Sequence, residues 1–119
     1  MTSILVTIKK MLGLDAEQKD FDTEIIMHIN SVLMILAQMG VGPSRGIVIE
    51  DEFATWEQLI PDGRNFELVK TYIYLKVKLI FDPPLSSSVL SSMERMISEC
   101  EWRLNSRAEY EEETQEDIE

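Results

Sequence analysis

Asn65-Phe66-Glu67-Leu68-Val69-Lys70-Thr71-Tyr72-Ile73-Tyr74-Leu75-Lys76-Val77-Lys78-Leu79-Ile80-Phe81-Asp82-Pro83-Pro84 decides the fold. Apolar residues cover most of the circumference of a helix built from this stretch. Lys70, Tyr74 and Lys78 form a narrow polar strip, with Lys76 beside it. A helix that is apolar on most sides must be buried from several sides, so this segment is expected to be the central helix of a domain. Asp82-Pro83-Pro84 ends it, because proline lacks an amide proton and restricts the residue before it.

Working outward, Ile25, Ile26, Ile29, Val32, Leu33, Leu36 and Met39 recur at helical spacing, and Gly40 closes the pattern. Asp22 or Thr23 is the expected cap, with Glu24 placed favourably in the first turn. His28, Ser31 and Gln38 fall away from the strongest apolar stripe. On the other side, Ser86, Ser87 and Ser88 offer caps for a last helix. Its seam is Leu90, Met93, Ile97, Cys100 and Leu104, spacing that suits antiparallel helix packing. Glu94, Arg95, Glu99, Glu101, Arg103 and Arg107 form the opposite face. Glu99 and Arg103 are four apart in the favourable order. A short first helix is capped by Ser3, carries Ile4, Leu5, Ile8, Met11 and Leu12, and stops at Gly13.

Between the second and third long patterns, Gly40 to Gly46 is a turn-rich loop. Ile47-Val48-Ile49 is a β-branched run with strand character, and Asp51-Glu52 would turn it back onto Phe53. Thr55-Trp56-Glu57-Gln58 has capping-box spacing and starts a short helical turn. The expectation is a mainly α fold. It comprises a four-helix bundle-like domain over residues 1–108, a short helical turn, and a small β-hairpin between helices 2 and 3. A hairpin alone is marginal, so it must lean on the helices or on a partner.

Composition narrows the function. With 119 residues, 45% of them hydrophobic, the chain forms one core-bearing domain. No apolar run approaches the roughly 20 residues that cross a bilayer. The two lysines near the N-terminus follow the apolar residues, the reverse of a secretory signal, so synthesis in the cytoplasm is expected. Net charge is −11, but residues 109–119 hold seven acids and no base, while residues 1–108 hold 15 acids against 11 bases. The tail is expected to be disordered when the protein is alone. Neither part offers the basic face that gathers phosphates, which argues against direct nucleic-acid binding.

Chemistry is sparse. The lone His28 sits in mid-helix, and nothing positions a base beside a serine or beside Cys100, so no catalytic residue is assigned. Cys100 reads as a small buried apolar residue. The loop from Gly40 to Gly46 lacks the lysine of a phosphate-binding loop and follows a helix. Glu50, Asp51 and Glu52 do not have EF-hand spacing. No cofactor and no metal site is expected. Protein binding is the function class that remains.

Three stretches carry a resemblance. They are Phe21-Asp22-Thr23-Glu24-Ile25-Ile26-Met27-His28-Ile29-Asn30-Ser31-Val32, then residues 71–84 of the opening stretch, then Glu101-Trp102-Arg103-Leu104-Asn105. Together they resemble the small head–tail connector proteins of long-tailed bacteriophages, over roughly residues 2–108. The resemblance implies a virion protein at the head–tail interface, in a ring usually of twelve copies beneath the portal protein. Such a ring extends the DNA channel, lets DNA pass without specific binding, and docks the next head-completion or tail protein. It implies no membrane. In that setting Ile47, Val48, Ile49, Phe53 and Trp56 are candidates for the contact between subunits. Arg103, Arg107 and Tyr110 are candidates for the portal contact. The competing class is a small acidic phage regulator that binds and inhibits a host factor, its tail imitating nucleic acid.

Overall fold

The computed structural model describes the backbone of residues 3–118 and the side chains of residues 3–106. Five helices follow in order: α1 (Ile4–Met11), α2 (Asp22–Gln38), α3 (Trp56–Leu59), α4 (Phe66–Phe81) and α5 (Ser87–Ile118). The backbone of α5 runs without a break past the boundary expected at residue 108, and the side chains of the acidic tail lie outside the described residues.

α4 is the central element. It packs against α2, α5 and α1, and it buries Val69, Tyr72, Ile73, Leu75 and Val77. α2 meets it with Ile25, Ile29, Val32, Leu33 and Leu36. The expected α5 seam forms: Met93, Ile97, Cys100 and Leu104 are buried, and Leu90 is half-buried. The Ser86 hydroxyl accepts from the Val89 amide at the start of α5. At α1, the Ser3 hydroxyl accepts from the Val6 amide at 3.1 Å, the expected cap.

Two sequence expectations change. The first is the hairpin. Among the described residues there is no strand, and the nearest thing to one is an isolated bridge between Ser3 and Thr55. The run Ile47 to Ile49 lies in irregular backbone beside α2. It needs no second strand because the Asn30 side chain takes that place. Asn30 Nδ2 donates to the Ile49 carbonyl at 3.0 Å, and Asn30 Oδ1 accepts from the Ile49 amide at 2.7 Å. One carboxamide thereby satisfies both backbone groups of Ile49.

The second is the start of α2. Neither Asp22 nor Thr23 caps it; the cap position is Phe21, with no side-chain bond. Asp22 is engaged elsewhere. Its carboxylate meets the Lys9 ammonium at 2.7 Å, and Lys9 is only 1% exposed. A buried ammonium needs a counter-charge and acceptors for its protons. Lys9 also donates to the carbonyls of Ala16 (3.2 Å) and Gln18. The polar connection between α1 and α2 therefore wraps around Lys9.

The loop after α2 is fixed at Gly42. Its φ is +88°, and a Cβ there would lie 2.9 Å from Leu59 Cδ1 and 3.3 Å from the Leu59 carbonyl. Only glycine lets the loop pass this close to α3 in that conformation. The capping box of Thr55 and Gln58 forms as expected, with the Thr55 amide donating to Gln58 Oε1 at 3.1 Å.

Candidate interaction surfaces

The connection from α2 to α3 sorts its apolar residues by side. Ile49 is buried, held against α2 through Asn30. Trp56 is also buried. Its indole Nε1 donates to Thr7 Oγ1 at 3.1 Å, and its ring meets Phe66 edge-on at 5.3 Å. These two residues belong to the subunit's own core. Ile47 is half-buried. Val48 and Phe53 point outward, 69% and 75% exposed. Of the five residues chosen from sequence for a subunit contact, only Ile47, Val48 and Phe53 reach the surface.

α2 adds a surface that sequence reasoning missed. From Ile25 to Gln38 it contains no Asp, Glu, Lys or Arg. Met27 and Met34, which lie outside the stripe read from sequence, are 60% and 64% exposed. Ser31 and Gln38 lie exposed with them. The signal available in sequence was the absence of charge on the side opposite the Ile25–Ile29–Leu36 stripe. His28 lies largely covered, its Nε2 3.6 Å from Glu24 Oε1.

At the other end of the chain, Trp102 and Arg103 are exposed on α5. The Arg103 guanidinium meets Glu99 Oε1 at 2.7 Å, the pair expected from their spacing. Trp102 and Arg103 help line a cleft of about 440 Å³ with Leu68, Asn65 and Ser106. A neighbouring cleft of about 470 Å³ shares Asn65 and is walled by Leu59, Ile60, Pro43 and Leu104. Arg107 and Tyr110 lie outside the described side chains. The opposite end of the bundle presents Leu85, fully exposed, and Ile80, near the edge-on pair Phe21 and Phe81 at 5.4 Å.

Buried titratable groups hold the helices together. The Tyr72 hydroxyl on α4 donates to Glu101 Oε2 on α5 at 2.8 Å. Burial, then the bond to Glu101 and its charge, push the phenol above its ordinary range. Burial, and next the Glu99 charge, also raise the Cys100 thiol, which keeps it in the protonated, unreactive form. Among the described residues no group of three His, Cys, Asp or Glu could hold a metal ion, and no helix is long and apolar enough to cross a membrane.

A family model described as phage connector protein matches residues 4–111. The match spans all five helices up to the acidic end of α5. No curated protein and no solved structure matches the chain.

Proposed function

Because this chain belongs to the phage connector protein family, we propose that it is a head–tail connector that assembles as a ring beneath the portal protein. The ring extends the channel through which DNA leaves the head and docks the next head-completion or tail protein. The observation that carries this reading is the family match across residues 4–111, nearly the whole chain.

The physical features support it. Exposed apolar side chains lie on several faces: Met27 and Met34 on α2, Val48 and Phe53 on the connecting loop, Trp102 on α5, Leu85 at the far end. A ring component needs contacts with two neighbours and with the layers above and below it. Residues 1–108 carry more acids than bases. An acidic body attracts a duplex less than a basic one would, consistent with passage of DNA without specific binding. We assign the portal contact to Arg103, Arg107 and Tyr110, with Trp102 beside them. The role is structural and not catalytic.

The test is co-purification with the portal protein encoded in the same genome. Retention of the chain on immobilised portal rings is expected. A chain that ignores the portal and captures a host factor would favour an inhibitor instead.

A further inference from the structure

Four of the chain's five arginines gather at one end of the bundle. The start of α4 meets the late turns of α5 there: Asn65 and Leu68 share a cleft with Trp102, Arg103 and Ser106. The adjoining cleft brings the loop after α2 to the same end, with Pro43, Asp62 and Arg64 in its lining. Arg45 is exposed two residues beyond Pro43, and Arg107 is the residue after Ser106. Arg95 alone lies away from this end, about two turns back along α5. Where α2 starts and α4 stops, the cations are lysines, among them Lys9, Lys19 and Lys78.

The two kinds of cation are not equivalent. A guanidinium presents a planar fork of donors that grips a carboxylate through two hydrogen bonds, whereas an ammonium acts as a point charge. The side chains lining the two clefts include two arginines and one acid, although the chain holds 22 acids and 11 bases. The sign of the surface is therefore reversed here. Arg64 meets Asp62 at 3.6 Å, and Arg103 meets Glu99 at 2.7 Å. All four side chains are more than half exposed, so each pair contributes little and yields readily to another carboxylate. Asp62 is also tied to its own turn, where Oδ1 accepts from the Arg64 amide at 2.9 Å. Between the arginines the clefts are apolar, walled by Val41, Leu59, Ile60 and Leu68, with Trp102 exposed among them. Exposed arginine and tryptophan around an apolar hollow are the composition of a protein-binding site.

We propose that this end takes an acidic segment of the portal protein, with carboxylates on Arg64 and Arg103 and a large apolar side chain in the cleft beside Trp102. The inference rests on the connector reading, in which this end meets the portal, and adds the chemistry of the segment it would hold. Charge complementarity selects the acids, and the aliphatic walls select an apolar neighbour for them. Nucleic acid, the other common ligand of arginines, fits this end less well. α5 continues from it into residues 109–119, which hold seven acids and no base and repel phosphates.

The test presents the full chain with overlapping synthetic peptides that cover the portal protein encoded in the same genome. Peptides that bind are then labelled and titrated by fluorescence anisotropy. The bound peptides are expected to carry Asp or Glu next to a large apolar residue. Exchanging those acids for their amides should weaken binding at least tenfold, and so should Arg103→Glu in the chain, with circular dichroism to confirm folding. Should Arg103→Glu melt early, Arg64→Glu takes its place. Binding should also weaken as salt rises. The inference is overturned if no peptide binds, if the amide peptides bind as tightly as the acidic ones, or if a labelled DNA duplex binds as tightly as the best peptide. A chain that retains intact portal rings but no acidic peptide refutes this inference and leaves the connector reading standing. A chain that ignores the portal rings refutes that reading itself.

Discussion

Asn30 and Ile49 are joined by two hydrogen bonds, side-chain amide to backbone carbonyl at 3.0 Å and backbone amide to side-chain oxygen at 2.7 Å. The pair ties the α2–α3 connection to the middle of α2 and sets Val48 outward. Replacing Asn30 with Ala leaves both backbone groups of Ile49 without their partner. The expected cost is about 2–3 kcal/mol, since each stranded polar group forfeits roughly 1–3 kcal/mol. Asn30→Asp keeps the acceptor for the Ile49 amide but sets a carboxylate oxygen against the Ile49 carbonyl, so it should not restore the wild-type stability. Urea unfolding measures both. Hydrogen exchange at the Ile49 amide should accelerate in Asn30→Ala before global unfolding does. An unchanged amide would mean that the loop is held by its other contacts.

A second prediction concerns Lys9 and Asp22. The ammonium is almost fully buried and the carboxylate partly so. Asp22→Asn removes the counter-charge but leaves the cation in place, and should cost about 3 kcal/mol, the lower end for a broken buried pair. The double variant Lys9→Met, Asp22→Leu removes both charges. It should be more stable than Asp22→Asn, although Ala16 and Gln18 lose a donor. Thermal melts of the two variants decide it: if Asp22→Asn melts with the wild type, the ion pair is not what holds the α1–α2 connection.

Tyr72 and Glu101 give the chain an alkaline limit. The folded phenol titrates above its ordinary value of about 10, so above that pH the unfolded chain releases the proton more readily than the folded one. The folded state then binds more protons than the unfolded state, and stability must fall as pH rises. Below about pH 10 the contribution is fully present. Tyr72→Phe should therefore cost about 1–2 kcal/mol near neutrality, through loss of the bond to Glu101. It should also flatten the loss of stability above pH 10. Equal alkaline slopes in variant and wild type would assign that loss to other groups.

These three contacts also show what a sequence can and cannot reveal. The α4 and α5 patterns were legible because burial imposes a period, and Val69, Ile73, Met93, Ile97 and Leu104 obey it. The Ser3 cap and the Thr55–Gln58 box were legible because capping is local. Asn30, Lys9 and Glu101 were not, since each acts on a residue brought near by the fold: 19, 13 and 29 positions away, at Ile49, Asp22 and Tyr72. The β-branched run at Ile47 to Ile49 signalled extended backbone but not its partner, and the partner is a side chain. At the candidate surfaces, Trp56 reads from sequence either as a core aromatic or as an interface anchor, and its indole is consumed by Thr7 and Phe66. Met27 and Met34 fall outside the apolar stripe read on α2, but sequence alone does not tell whether that side of the helix is covered.

The last prediction addresses the end of α5 proposed to meet the portal. Trp102 is exposed, and with Arg103 it helps line the cleft that includes Leu68. An exposed tryptophan beside an arginine is the composition of an interface hot spot, where one truncation removes 2 kcal/mol or more of binding energy. Among the described residues Arg103 pairs with Glu99, on the exposed face of the same helix, a bond worth a few tenths of a kcal/mol to folding. Trp102→Ala and the double variant Arg103→Glu, Arg107→Glu should thus each leave stability within about 0.5 kcal/mol of wild type, as surface changes do. Both should weaken portal binding at least tenfold. They differ in salt dependence. Charge reversal acts through complementarity and should slow association most at low ionic strength, whereas loss of the indole should speed dissociation at any salt concentration. Surface plasmon resonance on immobilised portal rings separates the two rates. Portal binding that is unaffected in both variants would place the docking surface elsewhere, and the apolar end at Leu85 and Ile80 would be next to test. A large drop in melting temperature in Trp102→Ala would show that the indole supports the fold.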